Sequence, residues 1–289
     1  MFGECHAHLF MNGSDYRRAV AVHRDGPEER TVRRELEEYR KRGVTFIRDG
    51  GDHFGVSRLA RELAPEYGVT YLTPGFAIYK AGHYGRVVGL PFENMKEYAA
   101  LVRKLDRDGG DFVKIMTTGI MDFQTETGIT GEPLKPEEVR EMVHIAHEEG
   151  FRVMSHTNGA REAEAAARAG VDSLEHGNFQ DADSLAALSE HHVVWVPTAV
   201  TVRNLIGKGR FSDEVLRAIW DGLAANIRLA RRLGVTMALG SDAGAFGVLH
   251  GQGIREEYDA FREIFPEDET LDDALRDGES RIRQFRKGL

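Results

Sequence analysis

Six residues in this chain have the types and the spacing to hold metal ions. His6 and His8 stand two apart in the opening run FGECHAHLF, so in an extended strand both side chains leave the same face. His156 closes the run VMSH, His176 closes SLEH and Asp242 closes ALGSD. Each follows apolar residues and precedes small or polar ones, as a side chain at the C-terminal lip of a strand does. Four imidazoles and a carboxylate converging at one end of a sheet form a site for divalent cations. Lys114, in FVKIMTTG, lies between Val113 and Ile115 on a strand that helices must cover, and is expected to face inward. An ammonium beside two divalent cations would be repelled. Carboxylation by carbon dioxide would give an anionic carbamate able to bridge two metals. Two divalent cations, one carbamate, one aspartate and one bridging hydroxide then leave a single net positive charge.

The elements that must position these residues alternate. Short β-like runs (FGECHAHLF, VTFIRDGG, VTYLTPGFAI, DFVKIMTTG, FRVMSHTN, VDSLEHG, HVVWVPTAV and VTMALGSD) are separated by longer amphipathic, charged stretches. PEERTVRRELEEYRKRG shows the helix pattern, with Pro27 at its start, acids early, bases late and Gly43 as a stop. Alternation of this kind means βαβ units and a parallel sheet. Eight units fit an α/β fold of the (β/α)8 TIM-barrel type, expected here as a single compact domain over residues 1–289. An open doubly wound sheet is the alternative, but no GxGxxG or GxxxxGK[ST] phosphate loop follows a strand. In a barrel, inward residues at strand C-termini meet at the catalytic face.

With these residues in order on these strands, the chain resembles the amidohydrolase superfamily, specifically its binuclear members with a carboxylated lysine. The runs DFVKIMTTG, AHEEGFRVMSHTNGAREAEAAARAGVDSLEHG, VPTAV and ALGSDAG resemble its imidazolonepropionase-like and Xaa-Pro dipeptidase-like branch. The resemblance covers nearly the whole chain. It implies that His6, His8, Lys114 and Asp242 hold one metal, and Lys114, His156 and His176 the other. Zinc is the first expectation, with Mn, Fe, Ni or Co also suited to such ligands. The implied chemistry is hydrolysis by a metal-bridging hydroxide, with Asp242 taking the proton and delivering it to the leaving amine. Cys5, next to His6, is expected on the opposite face, packed under a helix. Many relatives carry a small β-sandwich. His6 lies so near the start of the sequence that a bare barrel without it is expected.

Loops after the strands choose the substrate. YKAGHYGRVVG, after the third expected strand, gathers Lys80, His83, Tyr84 and Arg86; the resemblance places here a histidine that contacts a substrate carboxylate, and His83 matches it. The loop after the seventh adds Arg203, Lys208 and Arg210, with Arg203 nearest the strand end. His83, Tyr84 and Arg203 are thus the expected substrate contacts. His53 and His250 read as loop histidines with local hydrogen bonds, although His250 also matches a His-Gly pair of the branch. Asn158 and Thr118 stand where they could orient a ligand. Phe76, Phe123, Phe179 and Phe246 either wall a pocket or pack. The expected activity is cleavage of the amide of a small carboxylate-bearing compound, a dipeptide or N-acyl amino acid. The same site acting on a lactone, carbamate or organophosphate ester is the alternative, and a catalytically silent ligand-binding barrel a further one.

Composition narrows the classes. The 289 residues carry 38 Lys+Arg against 47 Asp+Glu, a formal net charge of −9. That balance argues against nucleic acid or an anionic membrane as the main partner, while the two basic loops favour a small anionic substrate at a locally basic mouth. One cysteine forms no internal disulfide, no apolar run reaches a membrane span, and the N-terminus lacks a signal-peptide pattern, so a cytoplasmic protein is expected. A homo-oligomer is left open.

Overall fold

The computed structural model describes residues 1–288, in which strands and helices alternate. The strands are β1 (Glu4–Ala7), β2 (Phe46–Asp49), β3 (Thr70–Leu72), β4 (Ala77–Lys80), β5 (Gly89–Phe92), β6 (Val113–Met116), β7 (Met121–Asp122), β8 (Gly128–Ile129), β9 (Val153–Thr157), β10 (Ser173–His176) and β11 (Val194–Val196). β1, β2, β6, β9, β10 and β11 are buried at every residue, as strands of a parallel sheet covered on both faces must be. One parallel sheet runs β1-β2-β3 and a second β11-β10-β9-β6-β4-β5; β7 and β8 form an antiparallel hairpin.

Backbone bonds connect the two sheets on both sides. Asp111 N donates to Thr73 O at 2.9 Å beyond the end of β3. On the other side, Ala238 N donates to Trp195 O and Cys5 N to Leu239 O, each at 3.0 Å, with isolated parallel bridges Trp195–Met237 and Ala7–Ala243. The expected strand VTMALGSD is thus present only as single bridges between β11 and β1. Gly240 passes so close to its neighbours that a Cβ there would lie 2.5 Å from Val196 and 2.8 Å from His6, and Asp242 turns the backbone into the left-handed region at φ 57°.

The helices cover the outside by the expected chemistry. The helix Glu29–Lys41 places Glu29 in its first turn and Arg40 and Lys41 in its last, and buries Val32, Leu36 and Tyr39 on one stripe. Ser212 caps Asp213–Arg232 through Val215 N. Three expectations change. VTYLTPGFAI is two strands, not one, divided by Pro74 and Gly75. The expected loop at 79–92 instead holds the end of β4 and all of β5, paired in parallel with Ala77 opposite Gly89; a Cβ on Gly89 would stand 2.1 Å from Ala77 O. A helix, Tyr16–Val22, capped by Asp15, forms where no element was expected. At the C-terminus the helix is Leu271–Arg283, with Ile282 and Phe285 buried; Leu289, expected on the same face, lies outside the described residues.

Cys5 also departs from expectation. It is buried among Phe46, Leu72, Phe112, Met154 and Val196, a cluster closed by Ile282 and Phe285. Phe46 and Met154 stand two residues from Arg48 and His156 and therefore share their face, so Cys5 lies on the ligand side of the strand. The β1–β2 register shifts between Glu4 and Ala7, and such an irregularity breaks simple alternation.

Candidate active site

The candidate ligands sit in buried strands or just beyond their ends, and hydrogen bonds orient the rings of His6, His156 and His176. His6 Nδ1 lies 2.8 Å from Glu175 Oε2. That carboxylate also receives Arg48 Nη2 at 2.9 and 3.0 Å, while Ser173 Oγ bonds Arg48 and Glu175 in turn. The network holds the Nδ1–H tautomer of His6 and leaves Nε2 bare. His176 Nδ1 is 2.8 Å from Thr198 Oγ1, and His156 Nε2 is 3.0 Å from Gly119 O. His8 packs against Gly50, where a Cβ would come within 2.4 Å of its ring. Tertiary structure here overrules backbone preference: His176, Thr198 and Asp242 all adopt positive φ (65°, 51° and 57°), conformations non-glycine residues avoid unless their surroundings fix them.

His6 Nε2 and His8 Nε2 lie 3.7 and 3.8 Å from the same atom, Asp242 Oδ1. These three side chains form a group with the spacing of a metal site. The His6 and His176 ring centroids are 4.9 Å apart, and those of His156 and His176 4.6 Å. Lys114 is buried, and it lines one cavity together with His8, His156, His176 and Asp242. Among the described residues, the buried polar side-chain atoms without a partner are His6 Nε2, His8 Nδ1, Lys114 Nζ, Asp242 Oδ1 and the two of Gln180. Three of these six, His6 Nε2, Lys114 Nζ and Asp242 Oδ1, therefore belong to the expected centre, and His8 turns Nε2 toward the same Asp242 oxygen. Bare imidazole nitrogens beside a bare carboxylate oxygen are the donor set a divalent cation takes, so the residues fit the expected metals.

Charge follows burial. Desolvation pushes His8 and His156 down to about 3 and His6 and His176 well below the usual imidazole range. All four are neutral near pH 7, the form that ligates. Burial lowers the Lys114 amine to about 8 and raises the Asp242 carboxyl to about 7, the latter opposed by the charge of Lys114.

The cavity above these groups measures about 840 Å³. Tyr84 belongs to it, its ring 5.2 Å from that of His156. His83 does not; it is bonded to Glu132 O at 2.9 Å. Arg203 pairs with Glu263 at 2.8 Å and lines a separate surface hollow with Lys208. Arg210 is the member of that basic loop which lines the main cavity. Asn158 also lines it, and is fixed by Gly119 O, Thr118 Oγ1 and the Asn178 amide. His250 is buried between Tyr39 OH at 3.2 Å and Met11 O at 2.8 Å, the local bonding expected for it. Phe123 and Phe246 line the cavity; Phe76 and Phe179 do not. Sequence reasoning missed Arg48, Glu175 and Thr198. The first two carried a signal: each is a charge inside a strand that must be buried on both faces.

The Amidohydrolase family model matches residues 3–266, and the chain belongs to this family. Among curated proteins it is similar to the ochratoxinase of Aspergillus niger, 26% identical over 202 residues, 68% of this chain and 40% of that protein. It is also 26% identical over 178 residues to an uncharacterised protein of Mycobacterium tuberculosis, covering 60% and 47% of the two. The chain thus matches less than half the length of these relatives. Among solved structures, an Xaa-Pro dipeptidase with methionine bound in its active site superimposes with a TM-score of 0.76 at 22% identity, over 99% of this chain and 77% of that one. The described residues include no helix long and apolar enough to cross a membrane.

Proposed function

We propose that this chain is a metal-dependent hydrolase of carbon–nitrogen bonds, acting on the amide of a small carboxylate-bearing substrate such as a dipeptide or N-acyl amino acid. The observation that carries the reading is the convergence of His6 Nε2 and His8 Nε2 on Asp242 Oδ1, at 3.7 and 3.8 Å, with the unpartnered Lys114 Nζ in the same cavity as His8 and Asp242. Its family and the fold it shares with an Xaa-Pro dipeptidase support the same conclusion. We read the two sheets, joined through residues 236–243 and through Thr73–Asp111, as one (β/α)8 barrel domain, with the ligands at its C-terminal lip.

Two divalent ions would be held, zinc first, by His6, His8, Asp242, His156 and His176, with a carbamate on Lys114 between them. Bound there, they would supply a water of lowered pKa and polarise the scissile carbonyl. The chain's own residues do the rest. Glu175 fixes the ligating tautomer of His6, and Thr198 orients His176. A buried amine with no partner is the form of lysine that takes up carbon dioxide. The Asp242 carboxylate accepts the proton of the attacking water and returns it to the nitrogen of the departing amine. Tyr84, over His156, closes one side of the substrate's path. Small anionic substrates suit such an enclosed cavity better than nucleic acid suits a chain of net charge −9.

Zinc- or manganese-loaded protein assayed on dipeptides, N-acyl amino acids, aryl esters and lactones tests this. Amide hydrolysis that a chelator abolishes is the expected result. Turnover of esters or lactones alone transfers the site to the alternative chemistry, and no turnover of any class overturns the hydrolase reading.

A further inference from the structure

Arg210 stands at the cavity mouth in an unusual setting. Its guanidinium lies 3.9 Å over the Phe246 ring and 5.5 Å from the centroid of Phe211. Phe211 stacks in turn on Phe123, centroids 4.9 Å apart and planes at 26°. All four line the cavity that holds Lys114 and Asp242. Outside the cavity lining, Arg203 is engaged by Glu263, Lys80 by Glu138 and His83 by Glu132 O; Arg17, the other arginine of the lining, contacts Tyr16 OH at 3.4 Å and stands apart from the stacked Phe123 and Phe211. Arg210 has no carboxylate partner among the described residues.

A guanidinium held face-on by aromatic rings keeps its N–H edge free, and that edge matches a carboxylate with two parallel hydrogen bonds. Beside it stands an apolar wall of Phe123, Phe211, Met121 and the exposed Ile120. A ligand that uses both features must carry its carboxylate and a large apolar group close together. An α-amino acid does so on a single carbon. We propose that Arg210 receives the α-carboxylate of the substrate while a bulky apolar side chain, aromatic ones preferred, packs on Phe123 and Phe211. The compounds cleaved are then N-acyl or peptidyl derivatives of large apolar amino acids. The bond cleaved rests on the hydrolase reading above; the binding does not.

The probes are N-acetyl-L-phenylalanine, N-acetylglycine and N-acetyl-L-phenylalaninamide, with metal-loaded wild type, Arg210→Ala, Arg210→Lys, Phe211→Ala, Arg17→Ala and Arg203→Ala. Each is followed by hydrolysis and by calorimetric binding of N-acetyl-L-phenylalanine. Arg210→Ala is expected to raise KM and Kd for N-acetyl-L-phenylalanine roughly 10- to 100-fold, the worth of a charged hydrogen-bonded pair. Its kcat should stay near wild type and the amide analogue should be unaffected. Arg210→Lys should recover part of the loss, and Phe211→Ala should weaken the phenylalanine compounds but not N-acetylglycine. If N-acyl amino acids are hydrolysed but Arg210→Ala weakens acid and amide alike, or the discrimination is lost in Arg17→Ala or Arg203→Ala instead, the assignment of Arg210 is overturned and the hydrolase reading stands. Binding that depends on Arg210 without any hydrolysis supports the assignment and overturns the hydrolase reading. Absence of binding overturns the assignment itself.

Discussion

Two layers of buried polar residues lie on the inner face of the strands, and they are built on opposite terms. In the lower layer Arg48, Ser173 and Glu175 satisfy one another, and Arg48 also donates to Cys5 O at 2.7 Å and lies 4.8 Å over the Phe285 ring. In the upper layer His6, Lys114 and Asp242 each present an atom with no partner, and His8 points Nε2 at Asp242 without a hydrogen bond. A buried polar atom left alone costs about 1–3 kcal/mol, and a fold does not accumulate three in one place without something to offset them. A completed network makes a rigid floor; an incomplete one marks where an external group belongs. His6 joins the two, with Nδ1 committed below and Nε2 open above.

Substitutions can break this contrast. The largest effect is expected below. Arg48→Met leaves Glu175 buried with its charge uncompensated, and should lower stability by about 3–5 kcal/mol in denaturant melts, whereas Arg48→Met combined with Glu175→Leu should recover most of the loss. An additive double variant would show that the two residues are not one unit. Above, Asp242→Asn should slow turnover roughly 10²- to 10⁴-fold and barely move the melting midpoint of metal-free protein. A large loss of stability would make Asp242 structural instead. Gly50→Ala, which places a Cβ against the His8 ring, should cost about 1–3 kcal/mol and weaken metal binding together. Thr198→Val, which frees His176 Nδ1, should lower metal affinity roughly 10- to 100-fold by competition with a chelating dye, without a matching loss of stability.

The placement of the candidate residues was legible because it rests on period-two alternation and strand ends, both visible in VMSH, SLEH and ALGSD. Legibility failed where the backbone departs from regularity. Cys5 faces inward where the β1 register shifts beside it, and VTMALGSD makes bridges rather than a ladder, with Asp242 turned into the left-handed region at its end. Nor does sequence proximity rank loop residues. Arg203 is nearer the strand but is held by Glu263, while Arg210, farther along, is carried back over Phe246. Thr198 gave no signal, since a threonine becomes a partner of His176 only through its positive φ.

We propose that the side chains above Glu175 hold two divalent cations, with Lys114 shared between them. Elemental analysis after metal-supplemented expression and exhaustive dialysis tests it directly, on wild type and on Lys114→Ala. About two divalent cations per chain in wild type, falling to about one or fewer in the variant, is the predicted result. Wild type that retains almost none, or a Lys114→Ala variant that keeps both, would contradict it.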